Sequence, residues 1–392
     1  MSCSSFVVTS HPFADPQLLP MPLPVAPPSL SRRQILQMFT AIAAGSLLPG
    51  CGWTLAEVRP ALSKGNKDEL SIYTWESYID PQLTDTFHTQ SGITVTADIY
   101  DSNETMLATF LSGKGAIYSV IYPSDYKVAE MIERKLLRVM DHSRINGIEN
   151  LMPEFQNSVY DPGNRYSMPI SWGTTGLLYN TEALNPGPED WEDLWRLQTK
   201  LNRKMTLLAD VREVMGATLK SLGHSYNSTN PAEIKQAYEK LVQLKPAVTT
   251  FTTDAWRDRL LAGDLTLAMA YSADAVRLIQ ENPDAKLRYV IPTSGTSLWS
   301  DTMVIPVTSP NVDAAYEWIN FMMQPSVAVD VTRRLFFATP NQAAYDQLPA
   351  PLRNNRSLFP PEEVIQACER IIPLEPKVLE LYEQYWTKLT SR

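Results

Sequence analysis

From residue 70 onward, short runs of two-residue hydrophobic period alternate with longer runs of helical period, and this alternation constrains the fold more than any other feature. Leu70, Ile72 and Thr74 alternate with polar or aromatic neighbours, as in a strand that stops at Trp75. A helix is expected over about 81–90, closed by Gly92 in the left-handed position past its end. Ile93, Val95, Ala97 and Ile99 form the next alternating run, and Ser102 opens a helix carrying Met106, Leu107, Phe110 and Leu111. A short buried strand over 118–122 runs into Pro123-Ser124, and a helix over 126–137 follows. This order predicts an α/β fold, a parallel sheet with helices on both faces.

A second series follows Trp172-Gly173-Thr174-Thr175-Gly176. A strand over 177–179 leads through a loop-and-helix region with Trp191 and Trp195 to a strand over 204–209, which ends at Asp210-Val211-Arg212-Glu213. The next helix carries Val214, Ala217, Leu219 and Leu222, and an amphipathic helix spans 231–244. A strand over 265–271 then feeds a helix starting near Ala273. A chain of 392 residues is too long for one core, so two domains are expected. With 44% apolar and 20% charged residues it is not disordered, coiled-coil or collagen-like. Two α/β halves joined by more than one crossing segment leave a cleft, with ligand residues at the carboxyl ends of the strands.

The first 50 residues differ from the rest. They hold eight of the 30 prolines and only three charges, Asp15, Arg32 and Arg33. Ser31-Arg32-Arg33-Gln34 precedes an apolar run, 35–48, shorter than the roughly 20 residues needed to cross a bilayer. A positive segment before a short apolar stretch reads as a secretory signal, and Ser31-Arg32-Arg33 resembles the twin-arginine type. The run ends Leu47-Leu48-Pro49-Gly50-Cys51, which looks like a lipoprotein cleavage box, with Pro49 where a small residue is usual. Cys51 is therefore the candidate for a lipid anchor to the membrane, and Met21 competes with Met1 as the start. Residues 51–68 read as a tether. Cys3 leaves with the signal, so Cys368 is a lone thiol and the core must hold the exported chain without an intramolecular disulfide.

The strand ends collect a coherent set of side chains. They are Trp75, Glu76, Ser77 and Tyr78; Ser124, Asp125 and Tyr126; Asp210 and Glu213; Tyr271; and Trp299 with Asp301. Aromatic faces attract ammonium groups and stack on methylenes, and carboxylates make charge-assisted hydrogen bonds to ammoniums. No arginine accompanies the set except Arg212 within its own motif, so it suits an elongated cation with an aliphatic middle and repels an anion. The net charge of −9 fits a cationic ligand and argues against nucleic acid. Each member also has a purely structural reading. Asp210 and Glu213 stand at N-cap and N3, as in a capping box. Trp75 and Trp299 are core-type residues, Ser124 suits an N-cap, and Asp125 and Asp274 suit the first turns of helices. Their convergence on strand ends favours a ligand site.

Several motifs resemble the spermidine/putrescine-binding proteins of ABC importers. They are Tyr73-Thr74-Trp75-Glu76-Ser77-Tyr78-Ile79, Tyr122-Pro123-Ser124-Asp125-Tyr126, Asp161-Pro162-Gly163-Asn164-Arg165-Tyr166-Ser167-Met168-Pro169, Trp172-Gly173-Thr174-Thr175-Gly176 and Asp210-Val211-Arg212-Glu213-Val214. Leu298-Trp299-Ser300-Asp301 and Ala338-Thr339-Pro340-Asn341 continue the series, in order over about 70–390. The resemblance implies a two-lobed periplasmic binding protein fold of type II, with a ligand cleft between lobes joined near Thr175, Ser300 and Gln342. It places 69–175 with 301–342 in one lobe and 176–300 with 343–392 in the other. It also implies that the chain is not an enzyme, needs no cofactor, and delivers its polyamine to ABC permease subunits from the periplasm.

Residue by residue, the resemblance gives Trp75 and Tyr78 aromatic walls and puts Ser77, with Glu76 beside it, where an acid usually stands. Ser124 and Tyr126 match the second contact segment, Asp210 and Glu213 two amine-holding carboxylates, Trp299 a stacking platform and Asp301 the carboxylate on the central amine. Tyr271 replaces a tryptophan, Phe337 replaces a tyrosine, and Ile371 stands where a glutamine is expected. These departures leave the choice between spermidine and putrescine open.

Readings from other classes fit less well. A glycoside hydrolase needs two carboxyls facing each other about 5–9 Å apart, and residues three apart on one helical turn are poorly disposed for that. The chain lacks G-x-S-x-G, H-E-x-x-H, a P-loop and C-x-x-C, and His88, His142 and His224 are scattered. A ferric site wants clustered oxygen ligands, which Trp75 and Trp299 do not supply. A lipoprotein receptor or scaffold without a transport role, or a binding protein for another small cation, shares the same cleft and remains the alternative.

Overall fold

The computed structural model describes residues 66–391. The signal segment 1–50, Cys51 and tether residues 51–65 lie outside the described residues. The first elements are β1 (Glu69–Trp75), α1 (Pro81–Ser91), β2 (Thr94–Tyr100), α2 (Asn103–Leu111), β3 (Val120–Ile121) and α3 (Asp125–Glu133). β1 pairs in parallel with both β2 and β3.

Local chemistry sets these boundaries. Asp80 caps α1 by accepting from Leu83 N at 2.7 Å, Pro81 takes the first helical position, and Gly92 closes the helix at φ 74°. Ser102 caps α2 through Thr105 N at 3.2 Å. α3 stops short of the expected residue 137 because Lys135 turns left-handed at φ 57°. The chain then folds back, with Leu136 N donating to Met131 O at 3.0 Å, and Leu136 and Leu137 enter the core.

Six further strands follow: β4 (Ser167–Asn180), β5 (Met205–Leu207), β6 (Val248–Phe251), β7 (Leu267–Tyr271), β8 (Leu287–Val290) and β9 (Leu298–Val304). The sheet is not wholly parallel, as the strand–helix order had predicted. β9 runs antiparallel to β3 and β4, and β4 runs antiparallel to β7 and β8, while β5 is parallel to β6 and β7. The short strand expected at 177–179 is the far end of β4, a 14-residue strand that takes in the Trp172–Gly176 motif. Its first half pairs with β9, from Ser167 opposite Val304 to Thr174 opposite Leu298. Its second half pairs with β7, from Thr175 opposite Tyr271 to Tyr179 opposite Leu267.

Pro169, Gly173 and Gly176 look like strand breakers in the sequence, but tertiary contacts explain each of them. The register shifts between Pro169 and Ser171, a bulge that tolerates a missing N–H. A Cβ on Gly173 would collide with the Trp299 ring and Ser272 Oγ, and one on Gly176 with Val290 O and Tyr289.

Separate cores define two lobes. One gathers Leu70, Ile72, Val120, Met168, Met303 and Ile305 under a helix, α7 below, that brings Trp318 and Phe321. The other gathers Trp191, Leu207, Val214, Ile234, Leu241 and Met269, with Tyr382 and Leu389 from the last helix. The helices concerned are α4 (Val211–Ser221), α5 (Pro231–Leu244), α6 (Ser272–Glu281), α7 (Val312–Met323) and α8 (Pro376–Thr390). Burying each large apolar side chain contributes about 1.5–3 kcal/mol. Tyr126, on α3, packs into the core that gathers Trp191, Leu207 and Met269.

Candidate ligand-binding cleft

Most of the expected strand ends converge, although Trp299 and Asp301 lie within β9 and not at a strand's carboxyl end. Trp75, Glu76, Ser77, Tyr78, Ser124, Tyr126, Asp210, Glu213, Tyr271, Trp299, Asp301 and Phe337 all line one cavity of about 680 Å³, part of it open to solvent. Tyr100, Asn103, Thr253, Asp254, Asp274 and Ile371 complete its wall.

Asp301 sits on β9 where that strand touches the end of β3, bridged to Ser124. Its carboxylate accepts from Ser124 Oγ and Tyr78 Oη, each at 2.6 Å. Burial pushes the Asp301 carboxyl up to about 6, with the Ser124 and Tyr78 hydrogen bonds pulling it partly back. No ion pair reaches Asp301 among the described residues. Tyr78 in turn hydrogen-bonds Ser171 and stacks on Phe337, ring centroids 4.0 Å apart and planes 12° from parallel. Phe337 thus serves as a flat wall without a hydroxyl.

Asp210 caps α4, accepting from Arg212 N at 2.8 Å and Glu213 N at 3.0 Å. The capping-box reading holds for Asp210 only. The Glu213 carboxylate turns away to accept from Tyr226 Oη at 2.9 Å and Ser297 Oγ at 2.7 Å. Burial raises the pKa of both acids, and each is raised further by a neighbouring carboxylate, Glu104 for Asp210 and Asp210 for Glu213. Arg212 is buried and spends its guanidinium on Ile372 O and Asn227 Oδ1, at 3.0 and 2.9 Å.

Aromatic rings form the rest of the wall. Trp75 donates from Nε1 to Tyr122 O at 2.9 Å and packs against Tyr100, whose centroid is 4.6 Å away. Tyr271 meets Trp299 edge-on at 5.7 Å, and the buried Trp299 Nε1 has no hydrogen-bond partner among the described residues. Ser77 does not replace the missing acid alone, because its Oγ lies 3.5 Å from Asp274 Oδ1 on α6. Glu76 is exposed and faces Arg257, 3.7 Å away.

Asp125 and Ser300 lie behind the wall. Arg370 Nη1 stands 3.1 Å from Asp125 Oδ2 and 2.9 Å from Ser300 Oγ. Burial raises Asp125 to about 6 against the pull of Arg370. Sequence reasoning missed Asn103, whose Nδ2 donates to Ser124 Oγ and Tyr126 Oη, both at 3.1 Å, while its Oδ1 accepts from Ser124 N. Tyr100 and Asn103 follow the carboxyl end of β2, and Thr253 and Asp254 follow that of β6. The strand-end rule applied to those two strands finds them. Arg257 and Arg370 carry no comparable signal, and the expected freedom from arginine holds for the lining but not for the ring around it.

The arrangement can hold cationic groups at spaced carboxylates and pack the carbons between them on rings. No cluster of metal-ligating side chains occurs among the described residues, and no described helix is long and apolar enough to cross a membrane. Residues 82–359 match the family described as bacterial extracellular solute-binding protein. The spermidine/putrescine-binding periplasmic protein of Salmonella typhimurium is 33% identical over 351 residues, spanning 89% of this chain and 97% of that one. The putrescine-binding periplasmic protein PotF of Escherichia coli is 26% identical over 368 residues, 90% of this chain and 97% of its own. Among solved structures, a putative spermidine/putrescine ABC transporter protein from Listeria monocytogenes superposes with a TM-score of 0.78 at 35% identity, covering 82% of this chain and 98% of that one. The chain belongs to the bacterial extracellular solute-binding protein family, and its two-lobed fold is that of a periplasmic substrate-binding protein.

Proposed function

We propose that this protein captures a polyamine, spermidine or putrescine, between its lobes and hands it to an ABC permease, as a binding protein and not as an enzyme. The observation that carries the reading is Asp301, a buried carboxylate that holds two hydroxyls and no cation among the described residues, set among Trp75, Tyr78, Tyr271 and Trp299. An ammonium beside Asp301 supplies the missing countercharge, and Asp210 and Glu213 take another. Lobe closure keeps water from these contacts and so strengthens them, a hinge motion for which periplasmic binding proteins are a standard instance. The names of the relatives support the choice of polyamine.

The reading extends to the segments outside the cleft. Residues 1–50 act as a twin-arginine-type signal for export to the periplasm, and Cys51 anchors the mature chain through lipid. The lobes divide at 69–175 with 301–342 and 176–300 with 343–392. A thermal-shift panel of putrescine, spermidine, spermine, sugars and amino acids tests the ligand class, because a ligand that binds only the native state raises its melting temperature. A shift with amines alone supports the reading, and no shift with any amine refutes it. A Cys51→Ala protein that still partitions with membranes refutes the anchor.

A further inference from the structure

Glu76, Ser77 and Asp274 line two cavities at once. The inner one is the cleft, and the outer is a surface groove of about 1220 Å³, with Asp80, Asp258 and Arg334 on its walls. Arg257, the first residue of the short helix Arg257–Leu261, lines the outer groove only and stands at the partition. Its Nη2 lies 2.8 Å from Asp274 Oδ1 and 3.2 Å from Asp254 Oδ1, and both of these acids line the inner cleft. Its Nη1 lies 3.7 Å from Glu76 Oε2, which comes from the end of β1 in the other lobe.

The cleft therefore has three carboxylate stations, and they are not equivalent. Asp301 and the Asp210–Glu213 pair have no cationic side chain bonded to their carboxylates among the described residues. The third, Asp254 with Asp274 and Glu76, already surrounds a guanidinium. A ligand ammonium reaching this end meets a fixed like charge, and two of the three carboxylates that would hold it, Asp254 and Asp274, already bond that guanidinium. We infer that Arg257 determines specificity, a protein cation standing where the outermost ammonium of a triamine would dock and thereby disfavouring triamines relative to diamines. This inference rests on the polyamine reading of the cleft.

Isothermal titration of the purified protein with putrescine and with spermidine tests it. Arg257→Gln is expected to raise the ratio of spermidine to putrescine affinity by about tenfold, and Arg257→Lys, which keeps the charge, to leave that ratio near the wild-type value. Asp254→Asn strips a carboxylate from the station while Arg257 stays, and is expected to lower the ratio, an independent reading should Arg257→Gln fold poorly. An unchanged ratio in Arg257→Gln, or an equal loss for both amines, overturns the inference and makes Arg257 only a strut between the lobes. A wild-type protein that binds neither amine overturns the polyamine reading itself, a result distinct from either of those.

Discussion

Ser124 Oγ donates to Asp301 Oδ1 at 2.6 Å, joining the start of α3 to β9 across 177 residues of chain. The contact leaves Asp301 oriented toward the cleft and only partly satisfied, since two hydroxyls do not neutralise a buried charge.

Asp301→Asn preserves the size of the side chain and removes its charge. One of the two hydroxyls can turn to accept from the new amide nitrogen while the other still donates to the amide oxygen, so the fold should survive. Polyamine binding is expected to weaken by roughly 2–5 kcal/mol, because the ligand ammonium loses a buried partner. Calorimetry that finds near-wild-type affinity for every polyamine would remove Asp301 from the site.

Binding should be coupled to protons with a defined sign. Burial raises Asp301 from 3.8 to about 6 in the ligand-free protein, and a bound ammonium draws it back down. Ligand binding near pH 6 therefore releases protons, and affinity rises with pH through that region before levelling off. The same shift means that the folded protein holds a proton which the unfolded chain has shed, so Asp301 lowers ligand-free stability as pH rises from 3.8 to about 6. Titrations at pH 6 in buffers of different ionisation enthalpy read the proton count, and proton uptake on binding would contradict the assignment.

Gly173→Ala places a methyl group against the Trp299 ring and Ser272 Oγ in the middle of β4. Overpacking of this kind costs about 1–3 kcal/mol. Because the displaced ring lines the cleft and is the proposed stacking platform, ligand affinity should fall along with the denaturation midpoint. A stability loss with unchanged affinity would show that Trp299 is not a platform for the ligand.

Asn103→Ala strips Ser124 N of its acceptor and removes the donor that Ser124 and Tyr126 share. Leaving buried polar groups unpaired costs about 1–3 kcal/mol each. Chemical denaturation measures that loss, and a binding titration should show weaker capture through a displaced Ser124–Asp301 pair. Full stability in the variant would mean that Asn103 holds neither residue.

The boundary between what the sequence determines and what the fold decides follows the range of the forces involved. The stop at Gly92, the cap at Asp210 and the helix Pro231–Leu244 rest on contacts within a few residues, and all are legible in the chain. So is the gathering of Trp75, Ser124, Asp210 and Tyr271, since strand ends converge in any fold of this kind. The long β4 strand is not legible, because Pro169, Gly173 and Gly176 are explained by a bulge, a tryptophan ring and a facing carbonyl that come from elsewhere. The direction of the Glu213 carboxylate, the Asn103 bracket and the guanidinium of Arg257 between Glu76 and Asp274 likewise depend on partners away from them in sequence. Sequence periodicity reports which face of an element is buried. Which distant groups meet there, and with what charge between them, is decided only by the tertiary packing of the elements against one another.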